Sequence, residues 1–231
     1  MSTGISPGLS VGAIVVAAGS SSRMNGLDKI LAPLGGKPLL AWSVEALQKS
    51  PRIDRIVVVA SQSNLETIHT LVKNQKWNKV VKVCQGGRRR QDSVIAGLKL
   101  VEDCEWIVIH DGARPFLTQD LINDGLEAAV ESGAAVAAVP VTDTIKVADD
   151  NLRVVATPDR SYLWTVQTPQ VFRFSIISQA SRHSAGDVTD DAGLVEKTGV
   201  KVKLFRGSYG NIKITTPQDL AVAEILSKSY A

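Results

Sequence analysis

Cysteine and histidine are both scarce in this 231-residue chain, and each scarcity removes a class of function. Two cysteines, Cys84 and Cys104, cannot build a disulfide framework and lack the clustered spacing of a metal site, so a reducing, cytoplasmic setting is expected. Three histidines leave no nucleophilic serine or cysteine with an evident imidazole partner: His69 falls in a surface helix, His183 follows a helix, and His110 ends a buried strand as a packed residue. Acyl transfer therefore has little support. No apolar run approaches the roughly 18 to 20 residues of a membrane helix. The first ten residues have neither a charged nor an apolar leader segment and read as a flexible tail. A net charge of +3 is too small to draw nucleic acid by itself. Basic residues gather locally instead, as at Arg88, Arg89 and Arg90, which suits a small anionic ligand as well as a solvated face.

What is present is enough apolar sequence, 44% of the chain, to bury a sizeable core in one large α/β domain. Apolar runs at 13–16, 53–60, 80–83, 106–110, 134–139 and 201–205 read as strands. Helical periodicity over 38–49, 64–73, 92–101, 119–131, 174–181, 191–197 and 216–228 falls between them, with Asp187 to Asp190 as a cap cluster for the helix at 191. This alternation predicts a Rossmann-like, mostly parallel central sheet with helices on both faces. Thr168-Pro169-Gln170 reads as a turn, and 210–214 as a further short strand carrying Lys213. Between 141 and 157 the helical pattern stops, and two β-branched stretches flank the polar turn Asp149-Asp150-Asn151. A two-stranded hairpin is marginal alone in water, so this arm is expected to project and to pack on the same arm of a second subunit.

The chemistry is expected at the carboxyl ends of the strands, where open α/β sheets bind ligands. The first strand ends in Ala17-Ala18-Gly19, three serines follow, and Arg23 and Lys29 lie just beyond. A small-residue corner lets backbone N–H groups approach an anion, and the two cations complete a pocket for a polyphosphate. The spacing excludes a Walker A loop, because Lys29 is followed by Ile30, and a dinucleotide fingerprint, because the corner offers only Gly19 before Gly26. Later strand ends carry 86–93, then Asp111-Gly112-Ala113-Arg114, then 142–146. Singly, each could be a capped turn or a solvated helix start. Together they suit a nucleoside triphosphate with a divalent ion, Asp111 being a hard oxygen ligand for Mg²⁺. A phosphate monoester is mostly dianionic at neutral pH and needs alignment and charge neutralisation more than a base.

The motifs AAGSSSRM with Lys29, GGRRRQDSV, HDGARP, PVTDTIK, LWTVQTPQVF, DVTDDA and NIKITTPQDL occur in this order from about Val11 to Leu226. In combination they resemble the 2-C-methyl-D-erythritol 4-phosphate cytidylyltransferases of the non-mevalonate isoprenoid pathway. The resemblance implies one nucleotidyltransferase domain over 1–231, with 1–10 a tail and about 141–160 the arm of a homodimer. It also implies transfer of the cytidylyl group of CTP to methylerythritol phosphate with Mg²⁺ or another divalent cation. Arg23, Lys29 and Lys213 would act on the α-phosphate. Ala17, Ala18, Gly19, Gly87 and Ser93 would hold CTP. Asp111 would lie beside the metal and the polyol phosphate, Thr168 and Thr189 would contact the latter, and Thr144 and Arg160 would reach the substrate of a neighbouring subunit. No nucleic acid or membrane partner is implied; the compartment is the cytoplasm, or the plastid stroma in a plant. Two departures stand out: Arg88 occupies a position that is often acidic in the family, and Gly26-Leu27-Asp28 is an unfamiliar form of the loop between the cations. The competing readings are a ribitol 5-phosphate cytidylyltransferase and a catalytically dead nucleotide-binding module.

Overall fold

The computed structural model describes residues 9–19, 28–182 and 188–230. Arg23, the three serines of the opening loop, Gly26, Leu27, His183 and Asp187 lie outside the described residues. In chain order the elements are β1 (Val11–Ala17), β2 (Pro33–Leu34), β3 (Lys37–Pro38), α1 (Leu39–Lys49), β4 (Arg55–Ala60), α2 (Leu65–Gln75), β5 (Val80–Gln85), α3 (Arg90–Leu98), β6 (Trp106–Asp111), α4 (Gln119–Ser132), β7 (Ala134–Pro140), β8 (Val147–Ala148), β9 (Val154–Ala156), β10 (Trp164–Arg173), α5 (Phe174–Arg182), α6 (Asp191–Glu196), β11 (Lys203–Arg206) and α7 (Pro217–Tyr230).

Seven strands form one sheet in the order β11-β7-β10-β6-β1-β4-β5. Every pairing in it is parallel except those of β10, which runs antiparallel to both β6 and β7. Alternation along β1 explains how the layers are filled: Val11, Ala13, Val15 and Ala17 face a core shared with α1, α2 and α4, while Ile14 faces a core shared with α3, α5 and α6. Helices thus cover both faces, as expected. At Gly97 a Cβ would stand 2.7 Å from Ile14 Cγ2, so α3 rests almost directly on β1 and its amino end is fixed over the strand tips.

Three expectations are corrected. Thr168-Pro169-Gln170 is not a turn between elements but lies inside β10; the peptide before Pro169 is cis, and the pairing with β7 shifts register between Val166 and Gln170. Turn chemistry marks an irregularity there, and the long pairings of β10 with its two neighbours override it. Residues 210–214 form no strand: Ile214 N–H donates to the Ala113 carbonyl (2.9 Å), a single crossing bond without a ladder. The helix expected from about 92 begins at Arg90, because the Asp92 carboxylate accepts the Arg89 N–H (3.1 Å) and so closes its first turn two residues earlier.

β8 and β9 pair as a separate two-stranded ribbon. Asp149 Oδ1 accepts the N–H groups of Asn151 (3.0 Å) and Arg153 (2.8 Å) and thereby builds the polar turn read from sequence. Every residue of both strands is exposed, and Leu152 and Tyr162 stand 88% and 82% in solvent.

Candidate active site

At the carboxyl ends of β1, β5 and β6 a cavity of about 290 Å³ is lined by Ala17, Ala18, Gly19, Lys29, Gly87 and Ser93, together with Arg88 and Arg89. Its floor is built by close packing. A Cβ on Gly86 would come within 2.6 Å of Ala18 Cβ, and one on Gly87 within 2.3 Å of Asp92 Cβ. Only glycine lets the 86–87 backbone lie between β1 and α3. Ser93 Oγ accepts the Gly87 N–H (3.2 Å) and is itself 3.3 Å from the Arg89 carbonyl, which holds the loop in shape.

A second cavity, of about 270 Å³, is lined by Arg114, Gln167, Thr168, Gln170, Thr189 and Asp190. Arg90, Asp111 and Lys213 line both cavities, so the two meet at one carboxylate. Asp111 Oδ1 accepts from Arg90 Nε (3.1 Å), and Oδ2 lies 2.7 Å from Lys213 Nζ and 3.8 Å from Arg114 Nε. Burial alone would raise the Asp111 carboxyl, but the surrounding charges of Arg90, Lys213 and Arg114 outweigh it and hold the group far below the usual carboxylate range. The same guanidinium of Arg90 reaches Asp191 Oδ2 at 2.7 Å. Burial would lower Arg90, yet Asp191 and Asp111 keep it firmly charged. Desolvation lowers Arg114, with Asp111 pulling the other way. Cations outnumber carboxylates at this junction, and the excess positive charge suits phosphates.

Asp111 is held from behind by a neutral relay. Burial pushes His110 down to about 4, so its imidazole is uncharged at neutral pH. Nε2–H donates to the Arg114 carbonyl (3.0 Å), Nδ1 accepts the Thr168 hydroxyl (3.0 Å), and Thr168 Oγ1 accepts the Asp111 N–H (3.0 Å). His110 is therefore the packed residue expected from its place at the end of a strand. Lys213 arrives through the crossing bond from Ile214 to Ala113 and through Arg114 Nη1, which donates to the Asn211 carbonyl (2.7 Å).

The fold thus gathers Ala17, Ala18, Gly19, Lys29, Gly87 and Ser93 around one cavity, Thr168 and Thr189 around the other, and Asp111 and Lys213 between them. Arg23 lies outside the described residues. Thr144 and Arg160 line neither cavity; they sit on the exposed arm, where Arg160 Nη1 donates to the Thr142 carbonyl (2.8 Å). Sequence reading places Arg90 only in an arginine cluster suited to a small anion, and assigns no role to Asp191 or Gln170. Arg90 was visible as the last arginine before a helix, but its partner Asp191 is 101 residues away and nothing local announces the pair.

A family model described as IspD, 2-C-methyl-D-erythritol 4-phosphate cytidylyltransferase, matches residues 11–229. A relative of that name from Dehalococcoides mccartyi is 53% identical over 218 residues, covering 94% of this chain and 96% of its own. Another from Caldanaerobacter subterraneus subsp. tengcongensis is 46% identical over 223 residues, covering 94% and 98%. Among solved structures, the 4-diphosphocytidyl-2C-methyl-D-erythritol synthase of Anaerococcus prevotii superposes with a TM-score of 0.84 at 30% identity, covering 95% of this chain and 99% of that one. The 2-C-methyl-D-erythritol 4-phosphate cytidylyltransferase of Thermus thermophilus superposes at 0.77 with 29% identity, covering 97% and 99%.

Proposed function

The chain belongs to the 2-C-methyl-D-erythritol 4-phosphate cytidylyltransferase family, and from that membership we infer its reaction. It is a nucleotidyltransferase that passes the cytidylyl group of CTP to 2-C-methyl-D-erythritol 4-phosphate, giving 4-diphosphocytidyl-2-C-methyl-D-erythritol and pyrophosphate in isoprenoid precursor synthesis. The observation that carries this reading at the level of residues is the pair of cavities meeting at Asp111, Arg90 and Lys213, a geometry for two phosphorylated substrates whose phosphates must touch.

We assign CTP to the cavity of Gly19, Lys29, Gly87 and Ser93, and the polyol phosphate to that of Thr168 and Thr189. A phosphate oxygen of the polyol substrate attacks the α-phosphorus of CTP; the new P–O bond forms as the bond to the β-phosphate oxygen breaks, and pyrophosphate leaves with that electron pair. The attacking monoester is already largely dianionic, so no side chain has to remove a proton. Lys29, Lys213 and Arg23 are assigned to the charge that develops on the α-phosphate. Asp111 fixes Lys213 and Arg90 beside the reacting phosphates and offsets the repulsion between the two cations.

Enzymes of this class generally use a divalent metal. Among the described residues no three His, Cys, Asp or Glu side chains cluster to hold one. Both Asp111 oxygens already face cations, so a Mg²⁺ would be held chiefly by the triphosphate, with Asp111 beside it. When bound, such an ion neutralises phosphate charge. We also assign the chain to a single catalytic unit whose 141–160 arm lends Thr144 and Arg160 to a second copy. The compartment of this reading is the cytoplasm, or a plastid stroma in a plant, supported by two unpaired cysteines.

Pyrophosphate release from CTP and Mg²⁺ with methylerythritol phosphate or ribitol 5-phosphate tests the assignment. Turnover with methylerythritol phosphate well above that with ribitol phosphate is expected; the reverse order would overturn it, and CTP binding without any release would make the chain a nucleotide-binding module.

A further inference from the structure

Arg90 differs from the other cations at the junction because it is held by two carboxylates from distant parts of the chain. Its Nε binds Asp111 Oδ1 at 3.1 Å at the end of β6, and its Nη1 binds Asp191 Oδ2 at 2.7 Å in the first turn of α6. Asp191 is 2% exposed and lines neither cavity, so no substrate placed there meets its carboxylate. A buried carboxylate with no view of the ligand is costly to keep unless it orders something that does.

What it orders is the segment carrying Thr189. Asp190 caps α6 by accepting the Gly193 N–H (2.9 Å), and its other oxygen takes Gln170 Nε2 (2.9 Å), while Gln170 Oε1 accepts the Ala192 N–H (3.1 Å). Gln170 therefore ties this segment to β10, and Arg90 ties it to β6 and α3. The planar guanidinium meets the two carboxylates with separate nitrogens in a fixed fork, a geometry that a single ammonium nitrogen does not reproduce. We propose that Arg90, anchored by Asp191, is a positioning residue that fixes the Thr189 segment against Asp111 and so sets the geometry of the polyol-phosphate cavity.

This inference rests on the assignment of the two cavities above, and its test separates the two. Steady-state pyrophosphate release, with each substrate varied in turn, is measured for the wild type, Arg90→Met, Arg90→Lys, Asp191→Ala and the double variant Arg90→Met/Asp191→Ala. Asp191→Ala and Arg90→Met are each expected to raise the KM for the polyol phosphate about tenfold or more, as small displacements of positioning groups do. In Asp191→Ala the KM for CTP is expected to change by less than about threefold, because the nucleotide floor is built by Gly86, Gly87 and Ser93 and Asp191 lines neither cavity; Arg90→Met also alters the lining of the CTP cavity and is compared on the polyol KM alone. Arg90→Lys is expected to fail to restore the polyol KM, and the double variant to be no worse than the worse single one. A wild-type polyol KM in Asp191→Ala would overturn the proposal, leaving Arg90 as a direct substrate contact. Equal losses for both substrates in Asp191→Ala with a lowered melting temperature would also overturn it, since that is what mere support of the fold produces. A wild-type chain that releases no pyrophosphate from either polyol phosphate would overturn the reaction assignment, and this role with it.

Discussion

At the residue scale the site, in the proposed reading, divides into groups assigned to phosphate and groups that hold them. Lys29 lines the cavity assigned to CTP, and a cation aimed at charge that develops during transfer stabilises the transition state more than bound CTP. Lys29→Ala is expected to lower kcat by about a hundredfold or more with a much smaller rise in the dissociation constant for CTP; rapid-quench turnover and equilibrium CTP titration check the two numbers separately, and turnover within a few-fold of wild type would remove Lys29 from this role. Lys29 was readable from sequence because it follows a small-residue corner at the end of an apolar strand, and Asp111 because a lone carboxylate beside a glycine closes another. Arg90 and Asp191 were not readable as a pair. Their residue types are ordinary for a helix start, and only the packing of α3 and α6 into the same core cluster turns them into one ion pair.

Elements were legible where local pattern and long-range pairing agree, as in the continuous apolar run of β4, buried on both faces of the sheet. They were not where the two conflict: β10 contains a turn signal that its pairing partners override, and 210–214 has strand-like residues but only a crossing bond for a neighbour. That irregular stretch, which carries Lys213, depends on α7 immediately after it. Asp219 Oδ2 accepts the N–H groups of Thr215 (2.8 Å) and Thr216 (2.9 Å) and the Thr215 hydroxyl (2.7 Å), while Thr216 Oγ1 accepts the Asp219 N–H (3.2 Å). Asp219→Ala removes this reciprocal cap and is expected to destabilise the protein by about 1 kcal/mol at neutral pH. Although burial raises the carboxyl, the hydrogen bonds from Thr215 and Thr216 hold it below its ordinary value in the folded chain. A depressed folded pKa means that the contribution is complete above the unfolded value, near about pH 4, and is lost as pH falls through the folded one. Urea denaturation of both proteins should therefore show the gap at pH 7 and its narrowing below about pH 4; a gap independent of pH would show that the carboxylate charge is not what closes the cap.

For the whole molecule, the unresolved economy is the arm. Its strands expose Val147, Val154 and Val155, with Leu152 and Tyr162 beside them, and together they make an apolar ribbon that one chain leaves in water. Thr144 and Arg160 lie on it, outside both cavities of their own chain. If a second copy covers the ribbon, a two-fold arrangement carries each arm to the other subunit's polyol cavity, and each complete site draws Lys29 from one chain and Arg160 from the other. The consequence is a complementation test with a definite sign. In a mixed dimer of Lys29→Ala and Arg160→Ala chains, one site carries both lesions, while the other combines the intact Lys29 of one chain with the intact Arg160 of its partner. Each parent variant alone should be nearly inactive, and differently tagged heterodimers purified after co-expression should recover about half of the wild-type turnover per dimer, one restored site of two. Heterodimers as inactive as the parents would mean that each chain completes its site without the other's arm. A monomer at assay concentration by sedimentation, with full activity, would lead to the same conclusion, and Arg160 would then have to act, if at all, within its own chain.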